Sequence, residues 1–246
     1  MTDEGKEKAY QQMQEHGIDA LVVISGNGSL TGAMEFAKKF DVCCIGLPGT
    51  IDNDLAYTDF TLGFDTAVTV VVDSIKMLRD TMACNDRSCV VEVMGRRCGD
   101  IAVYGGLAAG AEVIMTPEDP CPIDEAVAVL KRNAAAGKYD NIIVVAEGVA
   151  HADEVREEIL ARMPEINIRS MVLGHIQRGG DTTFRDRLLG IRMGAHAVEC
   201  LANDKTNRVI GIHGDKVFDE DIVEALAKKK IFNEGIYHLA NDLVRY

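Results

Sequence analysis

The sequence lacks any apolar run long enough to span a bilayer, and its opening stretch, MTDEGKEKAYQQMQEHG, is charged and has no signal-peptide apolar core. These absences remove a membrane helix and a secretory leader from the reading, so the expected location is the cytoplasm. No internal repeat and no low-complexity linker breaks the pattern. An excess of positive charge is also missing. The formal net charge is −13, which argues against nucleic acid as a partner, because a phosphate backbone rewards broad positive surface. Metal-type cysteine pairing is absent too. Of seven cysteines, Cys43 and Cys44 sit side by side within an apolar run and the others are scattered, which reads as free thiols in a reducing compartment.

What is present is a chain of 246 residues, 47% hydrophobic, enough for one large domain or two modest ones. Apolar runs at Ala20–Ile24, Val42–Ile45, Cys89–Met94, Glu112–Met115, Ile142–Ala146, Ser170–Leu173 and Val209–Ile212 alternate with amphipathic helical patterns such as Ala67–Leu78, Asp124–Ala136, Ala152–Met163 and Asp186–Leu201. Near-continuous apolar strands separated by helices predict an α/β fold with a mainly parallel sheet covered on both faces.

The loops that follow these strands carry the chemistry. Ile24 leads into SGNGS, Ile45 into GLPGTIDND, Met94 into GRRCGD, Ala146 into Glu147-Gly148 and Leu173 into GHIQRGGD. Ligands in open parallel sheets sit at the carboxyl ends of the strands, so these loops read as one composite site or two facing ones. Gly26 and Gly28 let backbone N–H groups approach an oxyanion, and Ser29 adds a hydroxyl at the start of the helix expected over Leu30–Phe40; a plain strand-to-helix connection gives the same pattern. In Thr50-Ile51-Asp52-Asn53-Asp54 two carboxylates and a hydroxyl stand just past a strand end, suited to accepting a hydroxyl proton or holding a cation, and equally compatible with an Asx-type turn.

Arg96 places a fixed cation where charge on a transferring phosphoryl group would need it. His175, Gln177 and Arg178 offer donors for a sugar phosphate. Glu147 could accept from sugar hydroxyls or cap the following turn. Short-loop arginines, Arg87, Arg96, Arg97, Arg169, Arg178, Arg185 and Arg187, suit a small anion on an otherwise acidic protein, although about half fit ordinary surface arginine. From the residues alone, phosphoryl transfer fits, and a sugar-phosphate isomerase or a pure binding protein fits nearly as well.

GLPGTIDND, VVEVMGRRCGD and VLGHIQRGG, in this order, with DALVVISGNGS before them and GIYHLANDLVRY after, closely resemble the bacterial 6-phosphofructokinases. The resemblance implies two Rossmann-like α/β/α domains with the site in the cleft between them. A nucleotide-binding domain is expected over 1–63 plus 176–226, and a sugar-phosphate-binding domain over 64–175 plus 227–246. It implies transfer of the ATP γ-phosphoryl group to the 1-hydroxyl of fructose 6-phosphate, with Mg²⁺, in an allosteric glycolytic enzyme that is a homo-oligomer, tetramer or dimer.

Carried over by position, Asp52 is the general base, Thr50 orients the phosphoryl group, Arg96 stabilises its charge and Asp54 supports the loop. Met94, Gly95, Glu147, His175 and Arg178 hold the sugar phosphate, with Arg87 and Arg169 reaching in from a neighbouring subunit. Gly26, Asn27, Gly28 and Ser29 hold the nucleotide, Asn27 and Asp52 the metal. Arg79, Glu112 and Lys138 match an effector site for nucleotide diphosphate or phosphoenolpyruvate. Pyrophosphate-using relatives typically have aspartate at the position of Gly28 and lysine at that of Gly49, so both glycines point to ATP.

Two departures stand out. The family's phosphate turn reads GGDGS, and here it is SGNGS, with neutral Asn27 in place of a metal-holding aspartate. The family also opens with a strand and a glycine-rich phosphate loop that this sequence lacks, so the first domain is expected to be truncated at its N-terminus and its sheet to have an open edge. The alternative function is therefore an impaired or non-catalytic member that binds sugar phosphate or effector, or that assembles with a complete subunit.

Overall fold

The computed structural model describes residues 2–245, with side chains to residue 239; Met1, and Tyr246 at the end of the GIYHLANDLVRY match, lie outside the described residues. The chain forms two compact units, one of residues 1–50, 55–63 and 184–231, the other of 51–54, 64–183 and 232–246.

The first unit is built on a four-stranded sheet in the order β1 (Ala20–Ser25), β2 (Cys43–Pro48), β7 (Arg208–His213), β8 (Lys216–Asp221). β1, β2 and β7 are parallel and β8 closes the sheet as an antiparallel hairpin. Side chains alternate across the sheet. Ile45, Leu47, Ile210 and Ile212 pack on Leu189, Met193 and Ala197 of α7 (Phe184–Ala202). On the opposite face Cys44 meets Ala33 and Ala37 of α2 (Asn27–Phe40), while Val209 meets Leu30 and, from α8 (Ile222–Ala227), Ile222. Gly46 is required on that face: a Cβ there would lie 2.8 Å from Leu30 Cδ2.

Helix α1 (Asp3–Glu15), N-capped by Thr2, packs Met13 against Phe36 and Val42 and pairs Lys6 with Glu35 at 2.6 Å. β1 is one edge strand of the sheet and β8 the other, and Val22 and Ile24 on one face of β1 are exposed.

A charged cluster ties α7 to the hairpin. Asp219, its side chain only 8% exposed, accepts from Lys205 and Arg208, each at 2.8 Å, and lies 3.1 Å from His196 Nε2. Burial alone would raise this carboxyl. The hydrogen bonds from Lys205, Arg208 and His196 overcome burial and hold it well below the usual carboxylate range. A carboxyl held low in the folded state stabilises above its unfolded pKa and loses that contribution as pH falls through the folded value. Asp219→Asn is therefore expected to cost about 1–3 kcal/mol at pH 7. The deficit should shrink below about pH 4. Urea unfolding of both proteins across pH measures it.

The second unit carries an all-parallel sheet in the order β4 (Val113–Met115), β5 (Ile142–Ala146), β3 (Ser88–Val93), β6 (Ile168–Val172). Helices α5 (Ile123–Ala135) and α6 (Ala152–Arg162) cover one face through Leu130, Val155 and Ile159. The other face receives α3 (Phe64–Ala83) and α4 (Asp100–Ala108). Gly105 and Gly106 let α4 come close, since Cβ atoms there would meet Val71 and Ile114. Helix α9 (Glu234–Arg245) closes the unit, with the Tyr237 hydroxyl donating to Asp119 O at 3.2 Å.

The division differs from the expected one at three places, each with a visible cause. Residues 176–183 stay with the second unit, because Gln177 accepts from Met94 N and Thr183 donates to Asp65. Residues 227–231 stay with the first unit, where Ala227 ends α8 and Lys228 pairs with Glu220. Residues 51–54 belong to the second unit, where Asn53 donates to Asp100.

Candidate active site

In the first unit, two turns that follow strands carry candidate site residues. β1 ends at Ser25, and α2 begins directly afterwards with Gly26 as its N-cap and Asn27 as its first residue. The expected start at Leu30 is thus late by about one turn, and Asn27, Gly28 and Ser29 lie exposed at the positive end of the helix. Gly49 N donates to Ser25 O at 3.0 Å, which draws the turn after β2 against this one. A Cβ on Gly26 would lie 3.5 Å from Thr50 Cβ, and Thr50 O accepts from Thr61 at 2.6 Å. A side chain at Gly49 would press within 2.9 Å of Ile24 Cγ2 and 3.0 Å of Ser25 N. A lysine there is thus opposed by packing, whereas nothing lies within 4 Å of a Cβ on Gly28.

In the second unit, the candidate residues stand at the carboxyl ends of β3, β5 and β6 and in residues 51–54. Gly95 (φ +133°) and Arg96 (φ +54°) make a tight turn after β3. Only a residue without a Cβ fits at Gly95, because a side chain would collide with Cys98 O. Glu147, one residue past β5, accepts from Gly95 N at 3.2 Å and Arg96 N at 2.8 Å, so it braces this turn. Gly148 beside it has no room for a side chain against Arg96 O.

The turn presents Arg96 to Asp52. Arg96 Nε lies 3.3 Å from Asp52 Oδ2, with the arginine side chain 70% exposed and the aspartate 8% exposed. Burial pushes the Asp52 carboxyl above its ordinary value; Asp54 and Glu147 push the same way, and Arg96 and Arg178 pull it back. Asp52 and Arg96 thus meet within one unit. Oδ1 of Asp54 is buried and accepts no hydrogen bond from any described residue. Two neighbouring carboxylates with a bare oxygen fit a divalent cation.

Met94 is buried, with His175 and Arg178 exposed on the 3₁₀ turn Gly174–Arg178 after β6. Gln177 corrects the sequence reading. It is buried, accepts from Met94 N at 3.1 Å and donates to Gly174 O at 3.0 Å, so it joins two loops rather than offering donors to a ligand.

Arg87 and Arg169 lie at the opposite end of the same sheet. Arg87 immediately precedes β3, and Arg169 pairs in register with Cys89 near the start of β6. The six residues of β3 separate them from Met94 by roughly 20 Å at ~3.3 Å per residue. Arg79, Glu112 and Lys138 gather at that far end too. Glu112 is met by Arg79 at 3.4 Å and by Lys138, and it accepts from Ile142 N at 2.6 Å. Elsewhere, His196, Cys200 and Asp219 form the one cluster of metal-type donors among the described residues, and Lys205 and Arg208 on Asp219 oppose a cation there.

Residues 1–201 match the family model described as phosphofructokinase. The chain belongs to the phosphofructokinase family. It is 48% identical over 240 residues to the ATP-dependent 6-phosphofructokinase of Thermoanaerobacter sp. (strain X514), covering 98% of this chain and 75% of that one. With ATP-dependent 6-phosphofructokinase 1 of Clostridium perfringens (strain 13 / Type A) the identity is 50% over 241 residues, with the same coverage.

Among solved structures, phosphofructokinase from Saccharomyces cerevisiae superposes with a TM-score of 0.88 at 30% identity, over 99% of this chain and 37% of the yeast chain. A pyrophosphate-dependent phosphofructokinase from Marinobacter aquaeolei shares the fold at a TM-score of 0.82 and 21% identity, over 97% of this chain and 70% of its own. The matched span 1–201 includes the TIDND, MGR and HIQR loops, and residues 51–54, 94–96 and 175–178 of these belong to the second unit.

Proposed function

We propose that the chain transfers the γ-phosphoryl group of ATP to the 1-hydroxyl of fructose 6-phosphate, the committing phosphorylation of glycolysis. The observation that carries this reading is the buried, proton-seeking Asp52 carboxylate held 3.3 Å from the exposed Arg96 guanidinium. Asp52 takes the proton from the 1-hydroxyl as its oxygen bonds to the γ-phosphorus, and the bond to the ADP oxygen breaks. A base whose pKa is raised toward the working pH is suited to this. Arg96 and Thr50 stabilise charge on the phosphoryl oxygens in flight.

Glu147 sets the turn that aims Arg96. Together with Met94, Gly95, His175 and Arg178 it forms the sugar-phosphate subsite of the second unit. The N-terminus of α2, with Gly26, Asn27, Gly28 and Ser29, forms the nucleotide phosphate subsite of the first. In the second unit Asp52 and the bare oxygen of Asp54 would hold Mg²⁺, which would neutralise charge on the phosphates, and in the first unit Asn27 is the candidate metal position.

Arg87 and Arg169 stand far from their own unit's subsite, which supports a homo-oligomer in which they complete a neighbour's 6-phosphate site. The Arg79, Glu112 and Lys138 cluster is the effector site in this reading. No described helix is long and apolar enough to cross a membrane, and the cytoplasm is the proposed location. One observation favours a second reading. Asn27 supplies no charge at the metal position, which fits a weakened enzyme or a member that binds sugar phosphate or assembles with a complete subunit.

Following ADP release from ATP, Mg²⁺ and fructose 6-phosphate decides between them. Turnover supports the kinase. No turnover, with the melting temperature still raised by fructose 6-phosphate, supports the binding reading. Turnover with pyrophosphate instead of ATP would overturn the donor assignment.

A further inference from the structure

Asp52 is placed by a residue that plays no part in the chemistry described above. Its neighbour Asn53 sits in the left-handed region at φ +51°, where a side chain other than glycine persists only if its surroundings hold it. Asn53 is 1% exposed. Its Nδ2 donates to Asp100 Oδ2 at 2.7 Å, and its carbonyl lies 3.8 Å from Cys98 Sγ. Asp100 is itself buried as the first residue of α4, which fixes it on a rigid element.

The loop leading to Asp100 is clamped in turn. Gly99 N donates to both oxygens of Glu118, at 2.9 and 3.1 Å, and Cys98 N donates to Gly95 O at 2.9 Å. The carboxylate of Asp52 and the guanidinium of Arg96 therefore hang from one connected loop system. An amide donating to a carboxylate in a buried setting is a strong directional tether.

We propose that Asp100 is a positioning residue for the phosphoryl transfer. It tethers Asn53 in the left-handed conformation and thereby fixes the Asp52 carboxylate against Arg96. The tether stands on geometry; its part in the reaction rests on the function proposed above. A plainer role is available to Asp100, as an acid in the first turn of α4 that favours the helix dipole. Two substitutions separate the roles. Asp100→Ala removes both. Asn53→Gly keeps the helix acid and permits the positive φ while removing the side chain that makes the tether.

Positioning predicts that both variants lose kcat on the order of 10²-fold, the size of a loss from slight misplacement of a reacting group. KM for fructose 6-phosphate should move less than about threefold. The double variant should be no worse than either single one. Asp100→Asn keeps an acceptor oxygen toward Asn53 and should recover most of kcat. Parent-like kcat in Asn53→Gly, or kcat in Asp100→Ala that falls only in step with melting temperature, overturns the proposal.

If the parent chain shows no turnover, the kinase reading fails and the tether is read by deuterium exchange of residues 51–54. Faster exchange in both variants and parent-like exchange in Asp100→Asn supports the tether. Unchanged exchange overturns it.

Discussion

Asp52→Ala is expected to abolish measurable turnover while leaving fructose 6-phosphate binding largely intact. Loss of a positioned general base costs on the order of 10²–10⁴ in kcat. Asp52 is the carboxylate whose environment suits that role, because burial and the neighbouring Asp54 and Glu147 raise its affinity for a proton. The isosteric Asp52→Asn should fall as far, since an amide oxygen accepts a hydrogen bond but takes no proton at neutral pH.

Binding should survive for a structural reason. Arg96 is oriented by Glu147 through the backbone N–H groups of Gly95 and Arg96, and Asp52 is a second contact on an arginine that is already mostly exposed. Thermal shift with fructose 6-phosphate and ADP release, measured on the same preparations, check both halves. Turnover retained in Asp52→Asn would remove Asp52 from the chemistry. Loss of the thermal shift in both variants would assign it to substrate binding instead.

The strands and the loops after them were legible because their signals are local. Apolar runs followed at once by glycine and a charged side chain mark the carboxyl ends of a parallel sheet, and Asp52, Arg96, Glu147 and His175 all stand there. What escaped depends on partners distant in sequence. Asp100 was visible only as the end of GRRCGD, and its partner Asn53 lies 47 residues earlier. Gln177 shares a turn with exposed His175 and Arg178, and nothing local says that it turns inward to meet Met94.

Strand β8, KVFDED, is rich in acids and half-buried, so it carries little apolar alternation. Its pairing with β7 and the Lys205, Arg208 and His196 contacts to Asp219 hold it in the sheet. Helix α4 was hidden for the opposite reason: buried and apolar around most of its surface, with two glycines inside it, it has no amphipathic period to detect. The route of the chain between units followed the same rule. The contacts of Gln177 with Met94 and of Thr183 with Asp65 keep 176–183 with the second unit, and no composition change marks that point.

Asn27→Asp is the substitution expected to gain activity. Asn27 occupies the first position of α2, exposed, with its carbonyl accepting from Thr31 at 2.9 Å. Its side chain is free to change without disturbing the core. A carboxylate there sits at the positive end of a 14-residue helix, which should also stabilise the fold by about 0.3–1 kcal/mol. Stability and function thus move in the same direction, so a gain in turnover cannot be a by-product of loosening.

The functional term is larger. A hard divalent cation prefers a charged oxygen to an amide carbonyl, and restoring a charge-assisted contact of this kind is worth on the order of 10²–10³ in rate. The gain should appear as higher kcat and as half-saturation at lower Mg²⁺, with KM for fructose 6-phosphate unchanged, because the residues of the proposed sugar subsite, Met94, Glu147, His175 and Arg178, belong to the second unit and Asn27 to the first. Turnover and Mg²⁺ dependence identical to the parent would take residue 27 out of the metal site and leave the cation to Asp52 and the bare oxygen of Asp54. A rise in melting temperature without any gain in turnover would have the same meaning, since the helix effect would then account for the whole response.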